Sequence, residues 1–124
     1  MIAPSDIAPP AANYAHAVLT TAPTQLLHTS GVVPVLPDRS VPGDLVEQAD
    51  TVWANVGAIL DAAGMASADV VSVTTYVVAG EPLDEVMAAR DRFLGDHVAA
   101  STLVTVPALA RQEWRLEVAI VAAR

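Results

Sequence analysis

Between residues 45 and 63 apolar side chains recur at three- and four-residue spacing: Leu45, Ala49, Val52, Val56, Ile59 or Leu60, and Ala63. That period predicts an amphipathic helix, with Asp44 as its N-cap and Gly64 as its C-terminal stop. The period then changes. Val70–Val78, VVSVTTYVV, is β-branched nearly throughout and reads as a central strand. Pro82 opens a second helical stretch whose stripe is Leu83, Val86, Met87, Arg90 and Phe93 or Leu94, closed by Gly95. Thr102–Val106 and Trp114–Ala122 are expected as the last two strands. Upstream, His16–Thr21 and Gln25–Ser30 are short β-like runs joined at Ala22-Pro23-Thr24, which suits a hairpin. Residues 31–43 hold Pro34, Pro37 and Pro42 and read as a loop, and the first dozen residues, rich in Pro and Ala, as an extended arm.

The resulting order is β-β-α-β-α-β-β. Helices alternating with strands after an opening hairpin indicate an α+β domain, a mixed sheet with both helices on one face. A chain of 124 residues is expected to form one such domain over residues 1–124. The second sheet face then lacks a cover. At 53% hydrophobic and 16% charged residues the chain is apolar for a monomer, which points to another subunit as that cover.

Composition narrows the chemistry. The absence of Cys excludes thiolate nucleophiles, disulfides and Cys-ligated zinc. All six cations are Arg, so Schiff-base chemistry on a lysine, including covalent pyridoxal phosphate, is excluded as well. A net charge of -8 opposes binding to a nucleic-acid backbone. No apolar run approaches the roughly 20 residues of a membrane span, and no basic, then apolar, leader opens the chain; a cytoplasmic protein is the expectation. His16, His28 and His97 are scattered, with no spacing that suggests a metal site. His16 and His28, both on the opening hairpin, are expected near each other. Trp53, just off the helix stripe, and Trp114 read as packing or interface residues.

Four stretches resemble the RidA/YjgF family of imine and enamine deaminases: APPAANYAHAV, LLHTSGVVPV, NVGAILDAAGMASADVVSVTTYV and RLEVAIVAA. The likeness runs from about Ala8 to Ala123. It implies a chorismate-mutase-like fold, a homotrimer, ligand clefts between subunits, and hydrolysis of small imines without metal or organic cofactor. It also implies roles for residues. Tyr14 matches the tyrosine of the N-terminal motif, although Ala12-Asn13 precede it in place of Gly-Pro. Ser30 and Gly31 match the Ser-Gly pair whose backbone lines the cleft, followed by Val32 in place of Gln. Glu117 matches the glutamate that positions water. Met87 stands where Asn is usual. Without a gap, the motif that supplies the substrate-binding Arg falls on Ala99, Ala100, Ser101 and Thr102, so Ser101 stands in the place of that Arg, close to the carboxylate-binding backbone at Leu103; sliding the match by one residue puts Ala100 there instead, and the Arg is absent either way.

Each residue also has a plainer reading. Alternation places Glu117 on the strand face opposite Leu116 and Val118, where it is either functional or an edge carboxylate, solvated or paired with Arg115. Arg115 in turn is either that partner or a replacement for the lost Arg, with Arg111 a weaker candidate for replacement. A neutral Ser offers one hydrogen bond where Arg offers a charged fork, so weak or absent hydrolysis of 2-iminopropionate is expected. The chain therefore reads as a divergent small-molecule enzyme of this family; the alternative is a non-catalytic trimer that binds a small ligand or a protein partner. An endoribonuclease activity is disfavoured by the acidic charge.

Overall fold

A computed structural model describes all residues 1–124. Strand β1 (Leu26–His28) is followed by helix α1 (Leu45–Ala62), a 3-10 turn (Ser67–Asp69), strand β2 (Val70–Val78), helix α2 (Leu83–Leu94), and strands β3 (Ala100–Val106) and β4 (Leu116–Ala123). The sheet order is β1-β4-β2-β3. β2 runs parallel to β3, whereas β4 is antiparallel to both of its neighbours. The fold is thus α+β, with a mixed four-stranded sheet and two helices on one face.

Register divides the sheet into two faces. Val73, Thr75 and Val77 of β2 lie beside Leu116, Val118 and Ile120 of β4, all buried beneath the helices. The helices complete that core with Leu45, Ala49, Val52, Val56 and Leu60 from α1 and Val86, Ala89 and Leu94 from α2. Trp53 also belongs to this core, stacked 4.9 Å from the ring of Phe93 on α2; the apolar face of α1 is wider than the narrow stripe. The opposite face carries Ser72, Thr74, Tyr76 and Val78, then Glu117, Ala119 and Val121, and Thr102, Val104 and Val106. No element of the chain covers it, and Val104 is 41% exposed.

The helix ends follow the sequence closely. Gly64 (φ 70) and Gly95 (φ 61) take the left-handed backbone that stops α1 and α2. Asp44 is the N-cap of α1, yet its side chain makes no capping hydrogen bond.

The opening hairpin is not formed. His16–Thr21 is not a strand: its backbone link is Ala17 O, which accepts from Ile2 N–H at 2.8 Å, and Ala15 just before it lies at the opposite edge of the sheet from Leu26–His28. Ala15 donates to Ala99 O at 3.0 Å and bridges Ala100 at the β3 edge, whereas Leu26–His28 pairs with the C-terminal end of β4. Between them Pro23 has no N–H to give, Ala22 sits at φ 50, and the N–H groups of Thr24 and Gln25 both bind Arg124 O. Ala15 and Leu26–His28 thus pair with the two open sheet edges, and not with each other. His16 and His28 are accordingly at different edges, with His16 Nε2 2.7 Å from Ala8 O.

Candidate functional site

Within one chain the residues singled out above fall into two groups on opposite edges of the sheet. At the β1 edge, residue 32 continues the sheet by bridging Val118, which brings Ser30 and Gly31 alongside the start of β4. Glu117 lies over Gly31 so closely that a Cβ there would come within 2.9 Å of its Cγ and 2.5 Å of its Cδ, and nearer still to Oε2. Gly31 is required by that approach and not by its backbone angles, since its φ is not positive. Ser30 and Gly31 also line a cleft of about 430 Å³ whose far wall is Asn55 and Ile59 of α1. Asn55 holds that wall in place by donating to Val33 O (3.2 Å) and Val35 O (3.0 Å).

The second group gathers at the β3 edge. Tyr14 directly precedes the residue that bridges Ala100, and its ring meets His16 edge-on at 6.1 Å between centroids. Ser101 and Leu103 lie on the helix face of β3, because they pair with Val73 and Thr75. Met87 is half-buried on α2. Glu117 shares its row with Tyr76 and Val104, on the other face. Ser101 is therefore two strands away and three residues along, roughly 10 Å in each direction, and it faces the opposite side. One subunit does not bring Glu117 and Ser101 together.

Arg115 stands beside neither group as a free cation. Its Nε is 3.6 Å from Glu81 Oε1, and its backbone N–H donates to Gln48 Oε1 at 3.0 Å. Glu117 is half-buried and has no salt-bridge partner, so the Arg115–Glu117 pair does not form. Arg111 is exposed. His97 Nε2 is 2.6 Å from Val70 O, a link between the end of α2 and β2. Trp114 Nε1 is buried without a hydrogen-bond partner.

The cation that does meet the second group is Arg90. It is 5% exposed, and its Nη1 donates to Ser101 Oγ at 3.1 Å. The signal was present in the sequence: an Arg on the apolar stripe of α2 is either an error in the stripe or a buried charge. Only tertiary packing, which sets α2 across β3, reveals that it points at Ser101.

The chain is thus a small single-sheet α+β fold with two helices on one face, a second sheet face of mixed polarity left open, and the candidate residues in two groups toward opposite edges of the sheet. Comparison with known proteins gives the family. The model of the family Endoribonuclease L-PSP matches residues 5–124. The chain is 31% identical over 102 residues to the 2-iminobutanoate/2-iminopropanoate deaminase of Escherichia coli, covering 80% of each. It is 38% identical over 73 residues to a RutC family protein of Haemophilus influenzae, covering 58% of this chain and 56% of that one. Among solved structures, YyfB of Yersinia pestis, a protein of unknown function of the conserved Rid family, superposes with a TM-score of 0.79 at 30% identity, over 90% of this chain and 87% of that one. Escherichia coli TdcF with bound serine gives a TM-score of 0.75 at 27% identity, over 98% and 93%. The chain belongs to the RidA/YjgF family, also called Endoribonuclease L-PSP. No helix of the chain is long and apolar enough to cross a membrane.

Proposed function

We propose that this protein is a RidA-like enzyme that acts by hydrolysis or protonation on a small imine, enamine or related unsaturated compound, in a cleft completed between copies of a homotrimer. The observation that carries the reading is the division of the site. Glu117, Ser30 and Gly31 stand toward one sheet edge, and Tyr14, Ser101 and Leu103 toward the other, so a site that used both groups would draw one of them from a second copy. The open sheet face, where Val78, Val104, Val106, Ala119 and Val121 stand among Ser72, Thr74, Tyr76, Thr102 and Glu117, offers a surface for such an assembly.

In the hydrolytic form, water adds to the C=N carbon while Glu117 takes its proton. The resulting carbinolamine loses ammonia, with the proton passed to nitrogen, and leaves a carbonyl. Ser30 and Gly31 contribute backbone to the cleft, Tyr14 closes it from the neighbouring copy, and Met87, Ser101, Leu103 and Arg115 set what fits. No organic cofactor or metal takes part. Support for a small polar substrate comes from the deaminase relative and from the serine bound in TdcF.

One feature favours the second reading, a non-catalytic binder of a small ligand or protein partner: the family resemblance puts Ser101, or Ala100 with the match shifted by one, where Arg is usual, and neither is a cation. The two readings part on Glu117→Gln. With 2-iminobutanoate and 2-iminopropanoate generated in situ, loss of turnover above buffer while the oligomeric mass is unchanged supports the enzyme. No turnover by the wild type, or equal turnover by the variant, supports the binder. Sedimentation is expected to give about three times the subunit mass of 12.8 kDa.

A further inference from the structure

Arg90 is a buried charge with an incomplete set of partners. Its side chain is 6% exposed, and its only carboxylate is that of its neighbour Asp91, 39% exposed. Asp91 Oδ1 accepts from Nε at 3.1 Å; Nη2 lies 3.0 Å from that same oxygen but outside hydrogen-bonding alignment, and is buried with no hydrogen bond. One oxygen thus serves two nitrogens, which is weaker than the parallel fork an Arg–carboxylate pair can form. The remaining side-chain contact is Nη1 to Ser101 Oγ. A buried guanidinium so sparsely satisfied is costly unless a further negative group completes it.

Ser101 can transmit that demand. Its oxygen accepts from Arg90, and its own O–H has no acceptor in the fold. Ser101 is half-buried on β3, the edge strand of the sheet, near Tyr14 and on the side where the second half of the candidate site lies. A hydroxyl that accepts from a guanidinium is polarised toward donation, so the hydrogen it offers is a charge-backed one.

We propose that Arg90 is the positioning cation of the ligand site, acting through the Ser101 hydroxyl, and that the ligand presents a carboxylate to Ser101. This rests on the reading of the cleft given above but not on Glu117 or on turnover. The positive charge missing from β3 is returned from α2, one helical turn after Met87.

The test compares pyruvate with pyruvamide, which keeps the shape and the acceptor oxygen but not the charge, by calorimetric titration. Wild type is expected to favour pyruvate by roughly tenfold or more, the range of a charge-assisted hydrogen bond. Arg90→Met should bring the ratio close to one while pyruvamide binding changes little; Arg90→Lys should recover part of it. A merely structural Arg90 would lower the melting temperature and leave the ratio alone. Should Arg90→Met fail to fold, Ser101→Ala supplies the second reading, since it should weaken pyruvate by a similar factor. A retained preference in a folded Arg90→Met, unchanged pyruvate binding by Ser101→Ala, or no pyruvate preference in the wild type overturns the proposal. Arg90-dependent binding without any turnover would sink the enzymatic reading and leave this one standing. Glu117-dependent turnover with a neutral Arg90→Met would do the reverse.

Discussion

Gly31→Ala probes the contact between the Ser30-Gly31 turn and Glu117. The added Cβ would stand 2.9 Å from Glu117 Cγ as well as against the carboxylate, so swinging the tip away does not suffice and the side chain has to lean from its root. Overpacking typically costs about 1–3 kcal/mol. Glu117 is half-buried and has no salt bridge to lose, which places this case near the low end, about 1–1.5 kcal/mol. Against it, Ala suits the backbone at residue 31 and restricts the unfolded chain, a stabilisation of about 0.4–1 kcal/mol. The single variant should therefore lose no more than about 1 kcal/mol. With Glu117→Ala already in place the collision disappears, and the same change should stabilise by about 0.4–1 kcal/mol. Urea denaturation of the four proteins, at one protein concentration because assembly shifts apparent stability, should then give a coupling of about 1–1.5 kcal/mol. Additivity within about 0.5 kcal/mol would show that Glu117 does not rest on Gly31, and the geometry offered for its role would fall.

Gln48 is 1% exposed and joins three segments, donating to Pro42 O (2.8 Å) and Glu113 O (2.9 Å) and accepting from Arg115 N–H; Gln48→Leu should cost about 3 kcal/mol or more in a urea melt, because those backbone groups are left buried and unpaired. Arg39 sits at φ 74, so Arg39→Gly should be neutral or stabilise by up to about 1 kcal/mol, and a loss instead would mean that its side chain has an unseen role. Hydrogen bonds from the Ser40 hydroxyl and N–H hold the Asp38 carboxyl below its ordinary value. Its contribution to stability is therefore complete above the ordinary value of 3.8 and is lost as pH falls through the lowered one; Asp38→Asn should flatten the stability profile on that acid side only, by a small amount at so exposed a site.

The helices and long strands were legible because each carries its own period. α2 runs from Leu83 to Leu94 between Pro82 and Gly95, as its stripe and stops require, and β2 occupies Val70–Val78. What failed was the pairing of short runs. Nothing local in His16–Thr21 tells whether it pairs with the next run; in the fold it meets the N-terminal arm at Ile2, and only Ala15 before it reaches β3. Trp53 is the packing residue its type suggested, yet it lies inside the buried face and not just off it, because the width of that face depends on what packs against it, here Phe93. The site divides in the same way. Alternation placed Glu117 opposite Leu116 and Val118 correctly in space, but its pairing with Arg115 is a tertiary matter, settled by Glu81. That Arg90 meets Ser101 depends on the crossing of α2 over β3, which no spacing along the chain encodes.

The position of β4 has a consequence for synthesis. It is the last of the elements to be made, yet it lies between β1 and β2 and hydrogen-bonds to both. Until residues 116–123 emerge, β1 has no neighbour, and the nascent chain can offer only the parallel β2–β3 pair beneath its helices. Val73, Val77 and Val32 then lack their neighbours Ile120, Leu116 and Val118, and that flank of the core stays open until β4 is made. The polypeptide therefore has little to gain from folding vectorially. A chain interrupted just before Leu116 would keep both helices and three of the four strands, yet be a client for chaperones and proteases.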